Sequence, residues 1–313
     1  MTSDPVFEQQ TFTIGQVVAA LQPRFPDVSH SSLRFLEREG LIHSLRTTGG
    51  HRLYAADEVA RIEQIKRWQG ERVSLGEIRE RLVSLDGLSN PELLAREFVA
   101  SAVAGDLRNA GDIIEQADRV GVPLDVVFSR VLTPALVDIG ERWALGEVSV
   151  AREKEVSELT RELIVELTRR HEAPDPQGPT VVAACVEGER HELGLRMIVG
   201  LLRERGYRVY FLGADVDVRF LLDSVKSRKP SIVLLSTRHP DSRAHLEEAL
   251  SDLSALDGSF KTIVGGSLVA ADPSAVERFG AIASRSGDPA TAVDFIESVV
   301  HDREPIAGPE REA

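Results

Sequence analysis

Residues 180–194 have the sequence TVVAACVEGERHELG, in which a short apolar run leads into a polar loop. The run Val181–Val186 has the length and the β-branched composition of a buried strand. The loop after it contains the spacing Glu189-x-His191-x-x-Gly194, and a helical pattern begins where the loop ends. A buried strand that passes through a polar loop into a helix is typical of an α/β fold with a parallel sheet.

Three more apolar runs follow, and amphipathic helical stretches separate them. They are Val209–Leu212, Ile232–Leu235 and Ile263–Val264. This alternation predicts an open parallel sheet covered by helices over residues 179–301. Ligands of such sheets bind outside the carboxyl ends of the strands, where the strand order reverses, so we expect the His191 loop to lie there. Residues 302–313 are polar and are predicted to be disordered.

The spacing of Glu189 and His191 suits a metal ligand and its supporting carboxylate. A ligating imidazole usually donates its other ring N–H to a carboxylate, and a carboxylate two residues away can reach it. Gly194 allows a bulky ligand to approach closely. An isolated histidine is more often an ordinary loop residue, so the motif alone decides little. A nicotinamide dinucleotide site is disfavoured, because residues 187–194 lack the G-x-G-x-x-G pattern that it needs.

Two breaks divide the chain into three segments. Three prolines within residues 172–179 indicate a stiff linker after a helical segment. Asn90 and Pro91 suit the N-cap and the first position of a helix, after a break that ends the first segment at about residue 85. Apolar residues keep helical spacing over residues 90–172, which predicts a four-helix bundle.

The first segment, residues 1–85, has the pattern of a small helical domain with a basic hairpin. Helices are predicted over Thr13–Leu21, from Ser29 and from Asp57, and the sequence RTTGGHRLY at residues 46–54 predicts the hairpin. Two short helices and a basic hairpin make a winged helix-turn-helix. In that fold the second helix enters the major groove of DNA and the wing contacts phosphate.

Charge and composition limit the possible partners and compartments. Basic and acidic residues are equally numerous over residues 1–84, so the rest of the chain carries the whole net charge of −13 and repels polyanions. No apolar stretch approaches the roughly 18 residues of a membrane span. The first residues do not resemble a secretory signal, and the single Cys185 cannot form an internal disulfide. We therefore expect a cytoplasmic, reduced protein without a membrane partner.

The first segment resembles the DNA-binding domain of the MerR family from Thr13 to Leu82. The resemblance rests on FPDVSHSSLRFLEREGLI, RTTGGHRLY and VSLGEIRERL, which occur in the family's order. The family often has Arg or Lys where this chain has Ser31, and Tyr where it has His51. The resemblance implies a double-stranded DNA operator. It implies contacts with base edges by His30, Ser31 and Ser32. It implies contacts with backbone phosphates by Arg34, Arg46, Arg52 and Tyr54.

The last segment resembles the flavodoxin-like, Rossmann-type cobalamin-binding fold of methionine synthase and its relatives. The resemblance implies that His191 is the lower axial ligand of cobalt and that Glu189 orients it. It also implies further cofactor contacts at Gly194, Gly213 and Asp215, and a pocket for the displaced nucleotide tail lined by Ser236, Gly265 and Gly266. Relatives usually continue Ser-x-Leu or Ser-x-Thr, whereas this chain has Ser236-Thr237-Arg238.

The order of the three segments resembles that of the light-responsive repressors of the CarA and CarH type. Those proteins have a Trp followed, after nine residues, by Glu-His, and this chain has Trp143 and then Glu153-Lys154. The resemblance implies that Trp143 stacks beside a 5′-deoxyadenosyl group and that Glu153 hydrogen-bonds it. Lys154 replaces the usual His. Ala144 occupies the position of a second histidine that binds cobalt in some members after light.

These observations favour a cobalamin-dependent transcriptional regulator that forms homo-oligomers, either dimers or tetramers. The leading hypothesis is a light-sensitive repressor that uses adenosylcobalamin. Lys154 and Ala144 keep a second hypothesis open, a regulator that senses cobalamin or another small ligand without light. A corrinoid enzyme subunit is the third and least favoured, because no segment supplies a substrate-bearing catalytic domain and because such a subunit has no use for a DNA-binding domain.

Overall fold

The computed structural model describes residues 11–46, 52–79, 82, 90–256 and 258–300. The chain divides after Gly87 into two compact units, which are described separately below. The tip of the predicted wing, with His51, and the predicted tail at 302–313 lie outside the described residues. No helix of the described ranges has both the length and the apolar composition that a membrane span requires.

The N-terminal unit contains a small three-stranded antiparallel sheet and short helices. Its elements are β1 (Thr11–Thr13), α1 (Ile14–Leu21), α2 (His30–Arg38), β2 (Leu45–Arg46), β3 (Arg52–Ala55) and α3 (Ala56–Gly70), and residues 75–79 are also helical. β2 and β3 pair antiparallel, with Arg46 opposite Arg52, so the predicted hairpin is present. α1 and α2 begin at capping boxes formed by Thr13 and Ser29.

The second unit begins with the predicted bundle of four helical segments. They are α4 (Pro91–Ala104), α5 (Leu107–Arg119), a third segment made of α6 (Leu124–Val126), a π-helical stretch (Val127–Leu132) and α7 (Thr133–Ala144), and α8 (Val150–His171). Asn90 caps α4 by accepting the N–H of Leu93, and Pro91 occupies the first position, as the sequence predicts. The π-helical stretch was not predicted. There, Thr133 Oγ1 donates to the carbonyl oxygen of Phe128 at 2.8 Å.

The second unit continues as a five-stranded parallel sheet with helices on both faces. Its elements are β4 (Thr180–Val186), α9 (Leu193–Glu204), β5 (Arg208–Val216), α10 (Val218–Arg228), β6 (Ile232–Ser236), α11 (Arg243–Ser254), β7 (Lys261–Gly265), α12 (Ser267–Ala271), α13 (Ser274–Glu277), β8 (Ile282–Ala283) and α14 (Pro289–Val300). The strand order β5-β4-β6-β7-β8 is that of flavodoxin, which confirms the predicted fold class. The order reverses between β4 and β6.

Residues of β4 alternate between two apolar cores. One core lies under α10–α13, and the other is shared by α9, α14 and the bundle. Packing across the shared core is close at Gly200 of α9, where an added Cβ would lie 2.5 Å from Thr168 Oγ1 and 3.0 Å from the Phe128 ring. The proline-containing linker therefore does not separate the bundle from the sheet, because both contribute to one continuous core.

Candidate functional sites

Glu189 and His191 form a hydrogen-bonded pair at the carboxyl end of β4. Oε1 of Glu189 lies 2.6 Å from Nδ1 of His191 and accepts the His191 backbone N–H at 2.8 Å. Oε2 accepts the backbone N–H groups of Arg238 and His239 from the loop after β6. The Glu189 side chain is fully buried, whereas that of His191 is 59% exposed. The imidazole therefore lies at the surface, and a buried carboxylate fixes its orientation.

The hydrogen bonds around Glu189 keep it ionised. Burial raises the pKa of Glu189, but hydrogen bonds from the His191 ring and from the backbones of His191, Arg238 and His239 outweigh burial and lower it to about 2. An ionised carboxylate can only accept hydrogen bonds, so Nδ1 of His191 carries the proton. In the neutral ring Nε2 then has a free lone pair, and within the described ranges it has no hydrogen-bond partner. This is the arrangement of a ligating imidazole.

Asp215 holds the loop that carries His191. Its Oδ1 accepts the Gly188 N–H at 2.8 Å, and its own backbone N–H donates to the Glu189 carbonyl oxygen at 2.9 Å. Gly213 and Asp215 have φ values of 94° and 55°, so the backbone at the end of β5 is irregular. The sequence places these residues after the strand, whereas in the structure β5 extends to include them. Both observed contacts of Asp215 hold the His191 loop in position.

Ser236 and the paired glycines lie at the same edge of the sheet. In the register of the sheet, Ser236 is opposite Cys185 on one side and Gly265 on the other. Gly266 has a φ of 104°, and a Cβ there would lie 1.9 Å from the carbonyl oxygen of Thr237. Only glycine allows the loops after β6 and β7 to approach this closely. The structure thus gathers the predicted residues and gives Gly266 a packing role that needs no ligand.

The side chains at this edge of the sheet suit a metal that is carried by a macrocyclic cofactor. Among the described residues, no group of three or more His, Cys, Asp or Glu side chains is placed to hold a metal ion. One imidazole is enough for a metal whose equatorial positions are filled by a ring. A Cβ on Gly194 would meet no atom within 4 Å, so there is open space beside the first turn of α9. These features fit a ring-bound metal for which His191 would be the one protein ligand.

Trp143, Glu153 and Lys154 lie on the bundle. Trp143, in the last turn of α7, is 47% exposed and is not a core residue. Glu153 accepts a hydrogen bond from Ser157 Oγ at 2.9 Å and pairs with Lys154 Nζ at 3.2 Å. In the part of the chain that the structure describes, no hydrogen bond or ion pair joins these three side chains to the His191 loop. Their roles toward an upper ligand stay predictions.

Glu192 connects the His191 loop to the bundle, and it was not among the site residues predicted from the sequence. Its side chain is 8% exposed, and its Oε1 accepts from Arg161 Nε of α8 at 2.7 Å and from Arg196 Nη2 of α9 at 3.1 Å. The spacing to Arg196 is that of an i,i+4 pair and was available in the sequence. Arg161 is 31 residues away, so sequence spacing could not indicate that contact.

The predicted base-contacting residues lie at the start of α2, in the N-terminal unit. His30, Ser31 and Arg34 are exposed, and the Ser31 hydroxyl lies 3.0 Å from Oγ of Ser29. Ser32 is not equally available, because its Oγ accepts the Ser29 N–H at 2.8 Å and donates to the Ser29 carbonyl oxygen at 3.0 Å. The hydroxyl of Ser32 belongs to the capping box of α2, and its base contact stays a prediction.

The predicted wing residues differ in their surroundings. Arg46 is exposed, whereas Arg52 Nε donates to Glu37 Oε2 at 2.6 Å, so its guanidinium also holds the wing to α2. Burial raises the pKa of Glu37, but hydrogen bonds from Ser44 and Arg52 give a net lowering. Tyr54 is fully buried, and its hydroxyl has no partner among the described residues. This corrects the predicted phosphate contact of Tyr54, because a buried ring offers DNA no surface.

Three family models match different parts of the chain. The MerR HTH family regulatory protein model matches residues 12–85. Two models described as B12 binding domain match residues 94–167 and residues 179–293. The matched ranges correspond to the N-terminal unit, the bundle and the α/β sheet. A DNA-binding fold is therefore followed by both parts of a cobalamin-binding fold.

Two transcriptional repressors are similar to this chain over most of its length. The HTH-type transcriptional repressor CarH of Myxococcus xanthus is 32% identical over 257 residues, which cover 77% of this chain and 85% of the relative. The chain belongs to the CarH family of transcriptional repressors. The repressor CarA of the same organism is 28% identical over 250 residues, which cover 78% of this chain and 84% of CarA.

Corrinoid proteins also resemble the chain. Trimethylamine corrinoid protein 2 of Methanosarcina mazei is 27% identical over 169 residues, covering 52% of this chain and 77% of the relative. The solved structure of the Methanosarcina barkeri monomethylamine corrinoid protein has a TM-score of 0.58 at 19% identity, covering 66% of this chain and 98% of that chain. At that identity it shows the fold alone. The chain therefore shares its fold, over 66% of its length, with a corrinoid protein.

Proposed function

We propose that this protein is a DNA-binding repressor that holds adenosylcobalamin and responds to light through it. The observation that carries the proposal is the exposed imidazole of His191, whose Nδ1 is bound by the buried Glu189 carboxylate at the switch point of the sheet. That geometry supports a role of His191 as the lower axial ligand of cobalt. Glu189 fixes its tautomer and orientation, and Asp215 holds the loop.

Trp143 and Glu153 supply the contacts to the upper ligand in this proposal. Adenosylcobalamin supplies a cobalt–carbon bond that visible light breaks. The half-exposed ring of Trp143 offers an apolar face for the adenine, and Glu153 offers a carboxylate to the ribose hydroxyls. Contacts made only while the adenosyl group is present favour the form that binds DNA, and their loss after illumination favours the other form.

Exposed side chains of the N-terminal unit make the contacts with operator DNA. We assign base-edge contacts to His30 and Ser31 and phosphate contacts to Arg34 and Arg46, because these four residues are exposed. Arg52 contributes to phosphate binding through the guanidinium nitrogens that do not bind Glu37. The DNA-binding form is a homo-oligomer, a dimer or a tetramer, because helix-turn-helix domains bind to paired half-sites of an operator.

A second candidate function is cobalamin sensing without light. Two departures from the CarH pattern favour it: Lys154 replaces a histidine and binds Glu153 at 3.2 Å, and Ala144 cannot ligate cobalt. In that case the presence of the corrinoid, and not the state of its upper ligand, controls the form that binds DNA. Both candidates are regulators. A corrinoid enzyme subunit is disfavoured because the DNA-binding domain has no use there.

The test is reconstitution with adenosylcobalamin in darkness, followed by green light. Absorption spectra report the axial ligands of cobalt, size-exclusion chromatography reports assembly, and a mobility shift reports DNA binding. We expect all three to change with light. A light-dependent spectrum with unchanged assembly and DNA binding would favour the second candidate.

Two histidine variants identify the cobalt ligand. His191 and His239 are similarly exposed, at 59% and 53%, and both are close to Glu189, which His239 reaches only through its backbone N–H. We expect His191→Ala to lose the spectrum of imidazole-ligated cobalt and to bind the corrinoid more weakly. His239→Ala is the matched control and is expected to retain both. An unaltered spectrum and affinity in His191→Ala would refute the assigned role.

A further inference from the structure

Arg238 is an exposed arginine beside the proposed cobalt ligand. It follows the end of β6, at the position where the relatives of this fold usually have Leu or Thr. Its backbone is fixed, because its N–H donates to Oε2 of Glu189 and its carbonyl oxygen accepts from Ser267 Oγ at 3.4 Å. Its guanidinium makes no hydrogen bond or ion pair within the described ranges. The backbone of Arg238 is therefore held in place, and its guanidinium is available to bind a ligand.

The same carboxylate determines the distance between Arg238 and His191. Oε1 of Glu189 binds the His191 ring while Oε2 binds the Arg238 backbone, so one carboxylate group separates the two residues. An arginine side chain is long enough to reach groups at the edge of a ligand centred over His191. Arg238 can thus contact the periphery of a corrinoid without disturbing its axial ligand.

The charges around Arg238 make an anion a suitable partner. The nearest buried carboxylate, Glu189, is saturated by His191 and by two backbone N–H groups. Asp241 pairs with His239 at 3.3 Å. Arg190, which follows Glu189 in the chain, is also exposed. Within the described ranges, the guanidinium of Arg238 therefore has no carboxylate partner of its own.

We propose that Arg238 binds the phosphodiester of the corrinoid's nucleotide tail and makes the site selective for corrinoids that carry it. The inference rests on the proposed function. The amides around a corrin ring are neutral, and the phosphodiester is the anionic group at its periphery. A guanidinium matches phosphate with two parallel N–H donors, which Leu or Thr at this position could not supply.

The test compares three adenosylated corrinoids in darkness: cobalamin, cobinamide phosphate, which has the phosphate but lacks the nucleoside, and cobinamide, which lacks both. We expect the wild type to bind cobinamide phosphate about tenfold more tightly than cobinamide. Arg238→Gln is expected to remove most of that preference while the spectrum of imidazole-ligated cobalt persists. The preference in the wild type is expected to shrink as salt is added.

Arg190→Gln is the matched control, because it removes an exposed positive charge from the same edge. It is expected to keep the preference. The inference is overturned if Arg238→Gln also keeps it, or if the wild type binds both cobinamides equally with imidazole on cobalt. Failure of the wild type to bind any of the three would refute the proposed function itself. In that case no spectrum of imidazole-ligated cobalt is seen, whereas failure of the Arg238 inference alone leaves that spectrum in place.

Discussion

Arg161 Nε in the bundle lies 2.7 Å from Oε1 of Glu192, the residue that follows His191 in the chain. α8, which contains Arg161, also contains Glu153 in its first turn. One ion pair therefore links the helix assigned to the upper ligand with the loop assigned to the lower ligand. Movement of the bundle away from the sheet would have to break it.

Replacing Glu192 by Gln is expected to loosen this connection. The carboxylate is 8% exposed and accepts from both Arg161 and Arg196, so its loss leaves two guanidinium groups without their shared anion. We expect the free energy of unfolding of the apoprotein to fall by about 1–3 kcal/mol. Urea denaturation monitored by circular dichroism measures it.

Glu158→Gln is the matched control, since Glu158 pairs with the same Arg161 but its side chain is 66% exposed. An exposed pair contributes at most about 1 kcal/mol, so this variant is expected to unfold close to the wild type. Equal destabilisation by both substitutions would show that the Arg161–Glu192 pair stabilises the fold no more than the exposed Arg161–Glu158 pair.

Arg34 and Arg46 are expected to bind DNA phosphates. Replacing either by Gln removes one exposed cation, so the slope of log affinity against log salt is expected to become shallower by about 1. Fluorescence anisotropy with an operator duplex, repeated over a salt series, measures the slope. Arg67→Gln is the control, because Arg67 binds Glu63 at 2.7 Å in α3. An unchanged slope in Arg34→Gln and Arg46→Gln would remove both from the interface.

Tyr54→Phe tests whether the buried ring takes part in DNA binding. The hydroxyl is buried without a partner among the described residues, so its removal is expected to leave stability unchanged or to raise it by about 1 kcal/mol. DNA affinity is expected to match the wild type, since the ring is fully buried. A marked loss of affinity with unchanged stability would restore the phosphate contact that the MerR resemblance implies.

The sequence indicated elements that have strong periodicity and missed those that depend on distant residues. The four apolar runs became β4 to β7, but β8 has only two residues and gives no apolar run. β5 was predicted to end at Leu212, where the apolar run ends, but it continues to Val216 through Gly213 and Asp215, which have positive φ. The Glu189–His191 contact was predictable because two residues separate the partners. The Arg161–Glu192 contact and the burial of Tyr54 arise from tertiary packing.

Cys185 is expected to remain unreactive while the protein is folded. Burial, with the nearby carboxylates of Glu189 and Glu192, raises the pKa of its thiol to about 12. At pH 8 the thiol is then almost entirely protonated, and the thiolate is the form that reacts or binds metal. Iodoacetamide at pH 8 is expected to leave the folded apoprotein unmodified and to label it in urea, as mass spectrometry can show. Rapid labelling of the folded protein would contradict the burial and make the thiol a rival ligand to His191.

Trp143→Ala separates light sensing from plain cobalamin sensing. Light can control the protein only if the protein distinguishes corrinoids by their upper ligand, because a ligand shifts an equilibrium by its differential affinity alone. If Trp143 stacks on the adenosyl group, the wild type prefers adenosylcobalamin to hydroxocobalamin, and the variant is expected to lose about tenfold of that preference. The ring is 47% exposed, so its truncation is expected to leave the fold intact.

Val137→Ala is the control for Trp143→Ala, because Val137 is 53% exposed on the same helix. It is expected to keep the wild-type preference. Titrations in darkness, followed by size-exclusion chromatography before and after illumination, give both readouts. An unchanged preference in Trp143→Ala would remove the ring from the upper-ligand site. Equal affinity of the wild type for the two corrinoids, with an unchanged elution volume, would leave no free-energy difference for light to act on and would make the corrinoid itself the signal.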